Sequence, residues 1–262
     1  MNKNSIQLLC TDFDGTLYSE SDEPRIPKGL IQLIAELKSN GTIWMVNTGR
    51  ELEYLLESLL PHSQNVLPDF VGVVEREVFT HQSGSFHPLE HWNQHSRAIH
   101  DSLFERHTSL MLEVSEWINN RFEAQVYEDL YSPVCLIARN NEDADQIHSF
   151  VDSKLANHNE LAWVRNDIYA RFSHSDIHKG TILQEVAKLH HIPKAGIVAI
   201  GDHFNDIPML NREFAEHLLA PSNAIPDVRK HLENHGGYIS AYETGEGVLD
   251  GLKRILNSPQ LP

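Results

Sequence analysis

An alternation of two hydrophobic periods over the first third of the chain limits its fold more than any other feature. Residues 6–12 read as a buried strand, opened by the apolar run at 6–10. Pro27 is suited to open a helix, and Leu30, Leu33, Ile34 and Leu37 then recur at the spacing of one buried helical face. Asn40-Gly41 ends that helix as a glycine cap would. Residues 42–46 read as a second strand, 51–60 as a second helix and 70–74 as a third strand. Strand and helix in strict alternation predict a parallel sheet covered by helices.

The rhythm breaks from about Gly84 to Ser173. Within that stretch 134–138 and 168–172 read as strands, and a helix carries Ile147, Phe150, Val151 and Leu155 on one face. Alternation then resumes with a helix over 179–191, a strand over 197–200, a short helix over 206–210, and helices over 224–232 and 247–256. The economical reading is an α/β fold, a doubly wound core interrupted by one inserted module.

Composition excludes several functions. A formal net charge of −16 leaves no basic stripe to neutralise phosphates, so nucleic acid is not an expected partner. No apolar run reaches the roughly 18 residues of a membrane span. The first five residues do not resemble a secretory leader, and Cys10 and Cys135 are too few for a disulfide framework or a zinc site. A cytoplasmic setting is therefore expected. The 17 histidines scatter without metal-binding spacing.

Four polar clusters fall where core strands end or core helices begin: Asp12/Asp14, Thr48-Gly49-Arg50, Lys179-Gly180, and Gly201-Asp-His-Phe-Asn-Asp206. Ligands of open α/β sheets bind at the carboxyl ends of the strands. Asp14-Gly15 could be no more than the corner of a polar turn, but carboxylates at the end of a buried strand are usually paired or bound to a cation. Asp12, Asp202 and Asp206 offer hard oxygen ligands suited to Mg²⁺ with a phosphate. Thr48 offers a hydroxyl and Lys179 a point charge for a phosphoryl group. A lysine is unfavourable at a helix start, so its presence there points to a role. The turn Asp14-Gly15-Thr16 supplies backbone N–H groups for phosphate oxygens, and an aspartate can serve as nucleophile.

In this order, D-F-D-G-T-L at 12–17, V-N-T-G-R at 46–50, K-G at 179–180 and G-D-H-F-N-D at 201–206 resemble the haloacid dehalogenase superfamily. An insert between the second and third motifs resembles the subgroup with a large α/β cap, which includes Cof-type sugar phosphatases and sucrose-phosphatase-like enzymes. The stretches 68–72 and 77–79 are similar to the sucrose-phosphatase branch. The resemblance implies a Rossmann-like catalytic core over 1–83 and 174–262, with a specificity-giving cap over 84–173. It implies a Mg²⁺-dependent phosphomonoesterase acting on a small phosphorylated metabolite, such as a sugar phosphate, through an aspartyl-phosphate.

At the matching positions the resemblance makes Asp12 the nucleophile and a metal ligand. Asp14 becomes the general acid and base, with its carbonyl on the metal. Thr48 and Lys179 hold the phosphoryl group, and Gly15, Thr16, Gly49 and Arg50 join them in binding phosphate. Asp202 is a metal ligand, and Asp206 is a ligand or holds a metal-bound water. Asn205 orients Lys179 or the phosphate, and Asn223 lines the crevice or caps a helix. Two departures bear on the substrate: Glu75-Arg-Glu77 stands where relatives often carry Asn-Gly-Ala, and Asn47 replaces a smaller residue before Thr48. Cap residues His91, Trp92, Glu128 and Arg139 could face a crevice or solvent. A phosphomutase sharing the aspartyl-phosphate and a non-catalytic binder on the same scaffold are the alternatives.

Overall fold

The structure, a computed structural model, describes residues 6–257. The N-terminal stretch read above for a leader lies outside them. The chain runs β1 (Leu8–Thr11), α1 (Lys28–Ser39), β2 (Ile43–Asn47), α2 (Leu52–Leu59), β3 (Phe70–Val73), β4 (Glu77–Gln82) and β5 (Ser85–Pro88). Next come α3 (Glu90–Asn119), β6 (Gln125–Tyr127), β7 (Cys135–Ile137), α4 (Asn141–Leu155), β8 (Leu161–Asn166) and β9 (Tyr169–His174). The last part holds α5 (Lys179–Leu189), β10 (Ile197–Ile200), β11 (His217–Ala220), α6 (Pro226–His235), β12 (Tyr238–Ile239) and α7 (Thr244–Asn257).

The chain divides into two compact units, residues 1–89 with 179–262, and residues 90–178. In the first unit the sheet order is β12-β11-β10-β1-β2-β3-β4-β5. All neighbours from β12 to β3 are parallel, and the last two pairings are antiparallel. β1 sits at the centre, with Cys10 opposite Ala199 on one side and Met45 on the other. The chain winds outward from β1 through β2 and β3, then returns to β1's other edge through β10. That reversal opens a crevice at the carboxyl ends of β1 and β10, where a doubly wound sheet takes its ligand. β1 and β10 are buried at every residue, as parallel strands covered on both faces must be.

The second unit is a four-stranded antiparallel sheet, β6-β7-β9-β8, packed with α3 and α4. Its core gathers Leu103, Val114, Ile118, Leu136, Ile147, Val151, Trp163 and Phe172. Asn140 caps α4 by accepting from the Asp143 N–H at 2.8 Å.

Several local expectations shift. The expected boundary at 84 falls within the β4–β5 hairpin, whose strands extend the first unit's sheet. Ser83 and Gly84 both take positive φ (52° and 83°), the conformation of a tight two-residue turn. The short helix expected over 206–210 is a single 3₁₀ turn, Phe204–Asp206. Ile207 keeps right-handed helical dihedrals (φ −48°, ψ −41°), but Pro208 has no N–H to continue the ladder, so the turn does not grow into a regular helix. β6, β11 and β12 are too short to stand out locally, β8 buries Arg165 on the face that holds Leu161 and Trp163, and α3 carries buried polar residues (Asn93, Ser96, His100) that blur its apolar stripe. Among the described residues no helix is long and apolar enough to cross a membrane.

Candidate active site

The four clusters read from the sequence meet at the carboxyl end of the first unit's sheet. Asp12 follows β1, Thr48 follows β2, Asp202 and Asp206 follow β10, and Lys179 opens α5. Lys179 is fully buried, and its ammonium donates to Asp12 Oδ1 and Asp206 Oδ1, each at 2.6 Å. Burial works against its charge, yet Asp12, Asp206 and Glu75 outweigh it and raise its proton affinity above that of an ordinary lysine. Asn47, flagged above as a departure, donates to the Lys179 carbonyl at 2.9 Å and so ties the start of α5 to β2.

Asp12, Asp202 and Asp206 bring carboxylate oxygens within 4.8 Å of one another. Burial, reinforced by the Asp206 charge, pushes Asp12 well above the usual carboxylate range, with Lys179 opposing. Asp202 is pushed up to about 7 by burial and then by Asp206, against a 2.6 Å hydrogen bond from Thr16 Oγ1. Both Asp206 oxygens are occupied: Oδ1 by Lys179, and Oδ2 by the N–H groups of Asp202 (2.8 Å) and His203 (2.9 Å). Oδ2 of Asp12 and Oδ2 of Asp202 accept no hydrogen bond among the described residues. Three buried carboxylates against one lysine form a donor set that fits a hard divalent cation.

The turn after β1 is shaped by Gly15. Its φ is +72°, and a Cβ there would lie 2.5 Å from Asp202 Oδ2, so only glycine fits. The turn amides differ from the expectation. The N–H of Gly15 donates to the Tyr18 carbonyl (2.9 Å) and that of Thr16 to the Phe13 carbonyl (3.4 Å), so neither is available to a phosphate. The backbone N–H groups of Phe13, Asp14 and Gly49 have no acceptor among the described residues. Thr48 Oγ1 accepts from the Arg50 N–H at 3.2 Å, which leaves its own hydroxyl hydrogen to donate.

Three other residues take partners within the protein. Arg50 grips Asp14 with two bonds, Nε to Oδ2 at 2.7 Å and Nη2 to Oδ1 at 2.6 Å. Its Nη1 donates to Ser58 Oγ at 2.6 Å, and the guanidinium lies over the Phe13 ring. Arg50 therefore orients Asp14, with most of its donors already used. Asn223 donates to the Gly15 carbonyl (2.8 Å) and accepts from the Thr244 N–H (2.7 Å). It braces the turn after β1 against the start of α7, whose first N–H it accepts as a helix cap would. Asn205 donates to Glu75 Oε1 at 2.8 Å rather than touching Lys179. Glu75 is buried beside Gly49, where a Cβ would lie 2.7 Å from Glu75 Oε1. Sequence reasoning noted Glu75 only as a departure, although a carboxylate just after a core strand was a usable signal.

A sheet with this winding, a lysine clasped by two aspartates and an aspartate pair after the first strand define a class of hydrolase. Residues 85–252, more than half of the chain, match the family model described as haloacid dehalogenase-like hydrolase, and the chain belongs to that family. It is 26% identical to 5-amino-6-(5-phospho-D-ribitylamino)uracil phosphatase of Bacillus subtilis, over 95% of this chain and 96% of that protein. Its fold is similar to that of the sucrose-phosphatase of Synechocystis, solved with sucrose and phosphate. The TM-score is 0.71 at 15% identity, covering 95% of this chain and 98% of that one. A HAD/COF-like hydrolase from Plasmodium vivax superposes with a TM-score of 0.70 at 17% identity, over 98% and 97% of the two chains.

Proposed function

We propose that the protein is a Mg²⁺-dependent phosphomonoesterase hydrolysing a small phosphorylated metabolite, a sugar phosphate or close relative, through an aspartyl-phosphate on Asp12. One observation carries this reading. Asp12 is held by Lys179 through one oxygen while its other oxygen is open, and unpaired donors from Phe13, Asp14, Gly49 and Thr48 stand at the same end of the sheet. An acceptor-only nucleophile beside a set of donors suits an electrophilic phosphorus carrying anionic oxygens.

Asp12 through the oxygen that does not attack, the Asp14 carbonyl, Asp202 and Asp206 would hold the Mg²⁺, with Asp206 acting chiefly through its charge because both its oxygens are engaged. Bound Mg²⁺ would supply charge neutralisation for the transferred phosphoryl oxygens. The chain's own residues do the rest. The free Asp12 oxygen attacks phosphorus as the ester P–O bond breaks, and Asp14 delivers its proton to the departing oxygen. Water then attacks the phosphorus of the acyl phosphate and Asp14 takes a proton from it, which releases phosphate and regenerates Asp12. Lys179, the Thr48 hydroxyl and the three amides bind the phosphoryl group throughout. Arg50 fixes the plane of the Asp14 carboxylate by its two-point grip.

The Bacillus relative is named for a substrate with a phosphoribityl group and the Synechocystis enzyme was solved with a sugar, which supports a hydroxylated leaving group here. On this reading the 90–178 unit is the specificity-giving cap. The test is phosphate release from a panel of sugar phosphates with and without Mg²⁺. Asp12→Asn is expected to lower turnover by at least ~10³-fold while leaving the fold intact. Parent-rate release by that variant would remove Asp12 from the chemistry. A need for an added sugar bisphosphate, with little free phosphate produced, would favour the mutase.

A further inference from the structure

Glu75 has no part in the mechanism above, yet it is costly to build. Val74 and Glu75 take φ of 49° and 55°, consecutive left-handed positions that a β-branched or long side chain rarely adopts. The segment is pinned there by two backbone bonds to the Thr48 loop, Val74 N–H to the Arg50 carbonyl (3.0 Å) and Glu75 N–H to the Thr48 carbonyl (3.4 Å). The carboxylate this places beside Gly49 is only 6% exposed. One of its oxygens is taken by Asn205, and Oε2 makes no hydrogen bond among the described residues. Asn205 Oδ1 is also buried without a donor.

A buried orphan acceptor, Asn205 Oδ1, and a carboxylate oxygen open to a ligand, Glu75 Oε2, therefore stand next to the loop that carries Thr48 and Gly49. A buried acceptor left unpaired is costly, and it becomes favourable when a donor arrives. Phosphoryl oxygens are acceptors and cannot supply one. A hydroxyl group on the leaving portion of the substrate can.

We infer that Glu75, supported by Asn205, is a specificity residue that accepts a hydrogen bond from a substrate hydroxyl and so selects polyhydroxylated phosphate esters over apolar ones. The inference rests on the phosphatase reading and deepens it. A site built to bond a hydroxyl rejects analogues that lack it far more strongly than an apolar pocket rejects a hydroxyl.

The test compares kcat/KM for phenyl phosphate with that for each member of a panel of sugar and polyol phosphates, in wild type, Glu75→Gln and Glu75→Gly. Gln keeps an oxygen for Asn205 but loses the charge, and Gly relieves the left-handed backbone while removing the side chain. In both variants the ratio of the best polyol substrate to phenyl phosphate is expected to fall roughly 10- to 100-fold. KM for the polyol should carry most of that change. A parallel fall for both esters, or an unchanged ratio, would overturn the inference and make Glu75 a brace for Asn205. Wild type that cleaves phenyl phosphate but no polyol phosphate would overturn it too. Wild type that cleaves neither would instead remove the phosphatase reading, and this inference with it.

Discussion

Asp202→Asn should stabilise the metal-free protein at neutral pH while removing its response to Mg²⁺. Asp202 is 7% exposed and its carboxyl is pushed from the ordinary 3.8 up to about 7, first by burial and then by Asp206. The folded state therefore binds this proton more tightly than the unfolded chain does. Stability is lost as pH rises from about 4 to 7, and the loss is complete above 7. At about 1.36 kcal/mol per pH unit, a rise from 3.8 to about 7 corresponds to ~4 kcal/mol as a ceiling. Asparagine cannot ionise and keeps an oxygen for the Thr16 hydroxyl. In EDTA the variant should thus gain up to ~4 kcal/mol on wild type between pH 4 and pH 8. In excess Mg²⁺ wild type should recover by mass action, and the variant should not. Urea unfolding at several pH values, followed through Trp44 in the first unit's core, measures both arms. A wild-type-minus-variant difference that stays constant with pH would refute the linkage. Equal Mg²⁺ stabilisation of the two proteins would remove Asp202 from the metal site.

Lys179→Met leaves Asp12 and Asp206 buried without their shared cation, and should cost about 3–5 kcal/mol of stability in the absence of metal. Chemical denaturation reads this, and a loss below about 1 kcal/mol would show that the cluster relaxes to reach water. Arg50→Lys gives up the two-point grip on Asp14, so kcat should fall roughly tenfold with KM changed less than about threefold. A raised KM at constant kcat would place Arg50 on the phosphate instead.

Much of the site was legible because its chemistry is carried by residue type at short spacing. Asp12, Asp14, Thr48, Asp202 and Asp206 arise from motifs a few residues long after strands, Lys179 from one that opens α5, and the fold brings them together. What was misread shares a different property. Gly15 and Thr16 were expected to offer their amides outward, yet the same tight turn that glycine permits folds those N–H groups back on Tyr18 and Phe13. The donors left over, Phe13, Asp14 and Gly49, are backbone groups at positions whose side chains advertise something else.

The sequence by itself determined the α/β alternation, the interruption, and the polar residues that stand at the strand ends and the start of α5. Hydrophobic period and side-chain chemistry are local properties, written within a few residues. Only the tertiary structure decided which partner each polar group takes. Glu75 and Asn205 lie 130 positions apart, Arg50 and Asp14 36 apart, and Asn223 braces a carbonyl 208 positions away. A buried polar group must find a partner, and the order of strands in the sheet, with β1 between β10 and β2, determines which partners are within reach. That arrangement turned Glu75 from a mismatch in a motif into a buried carboxylate beside the Thr48–Gly49 loop.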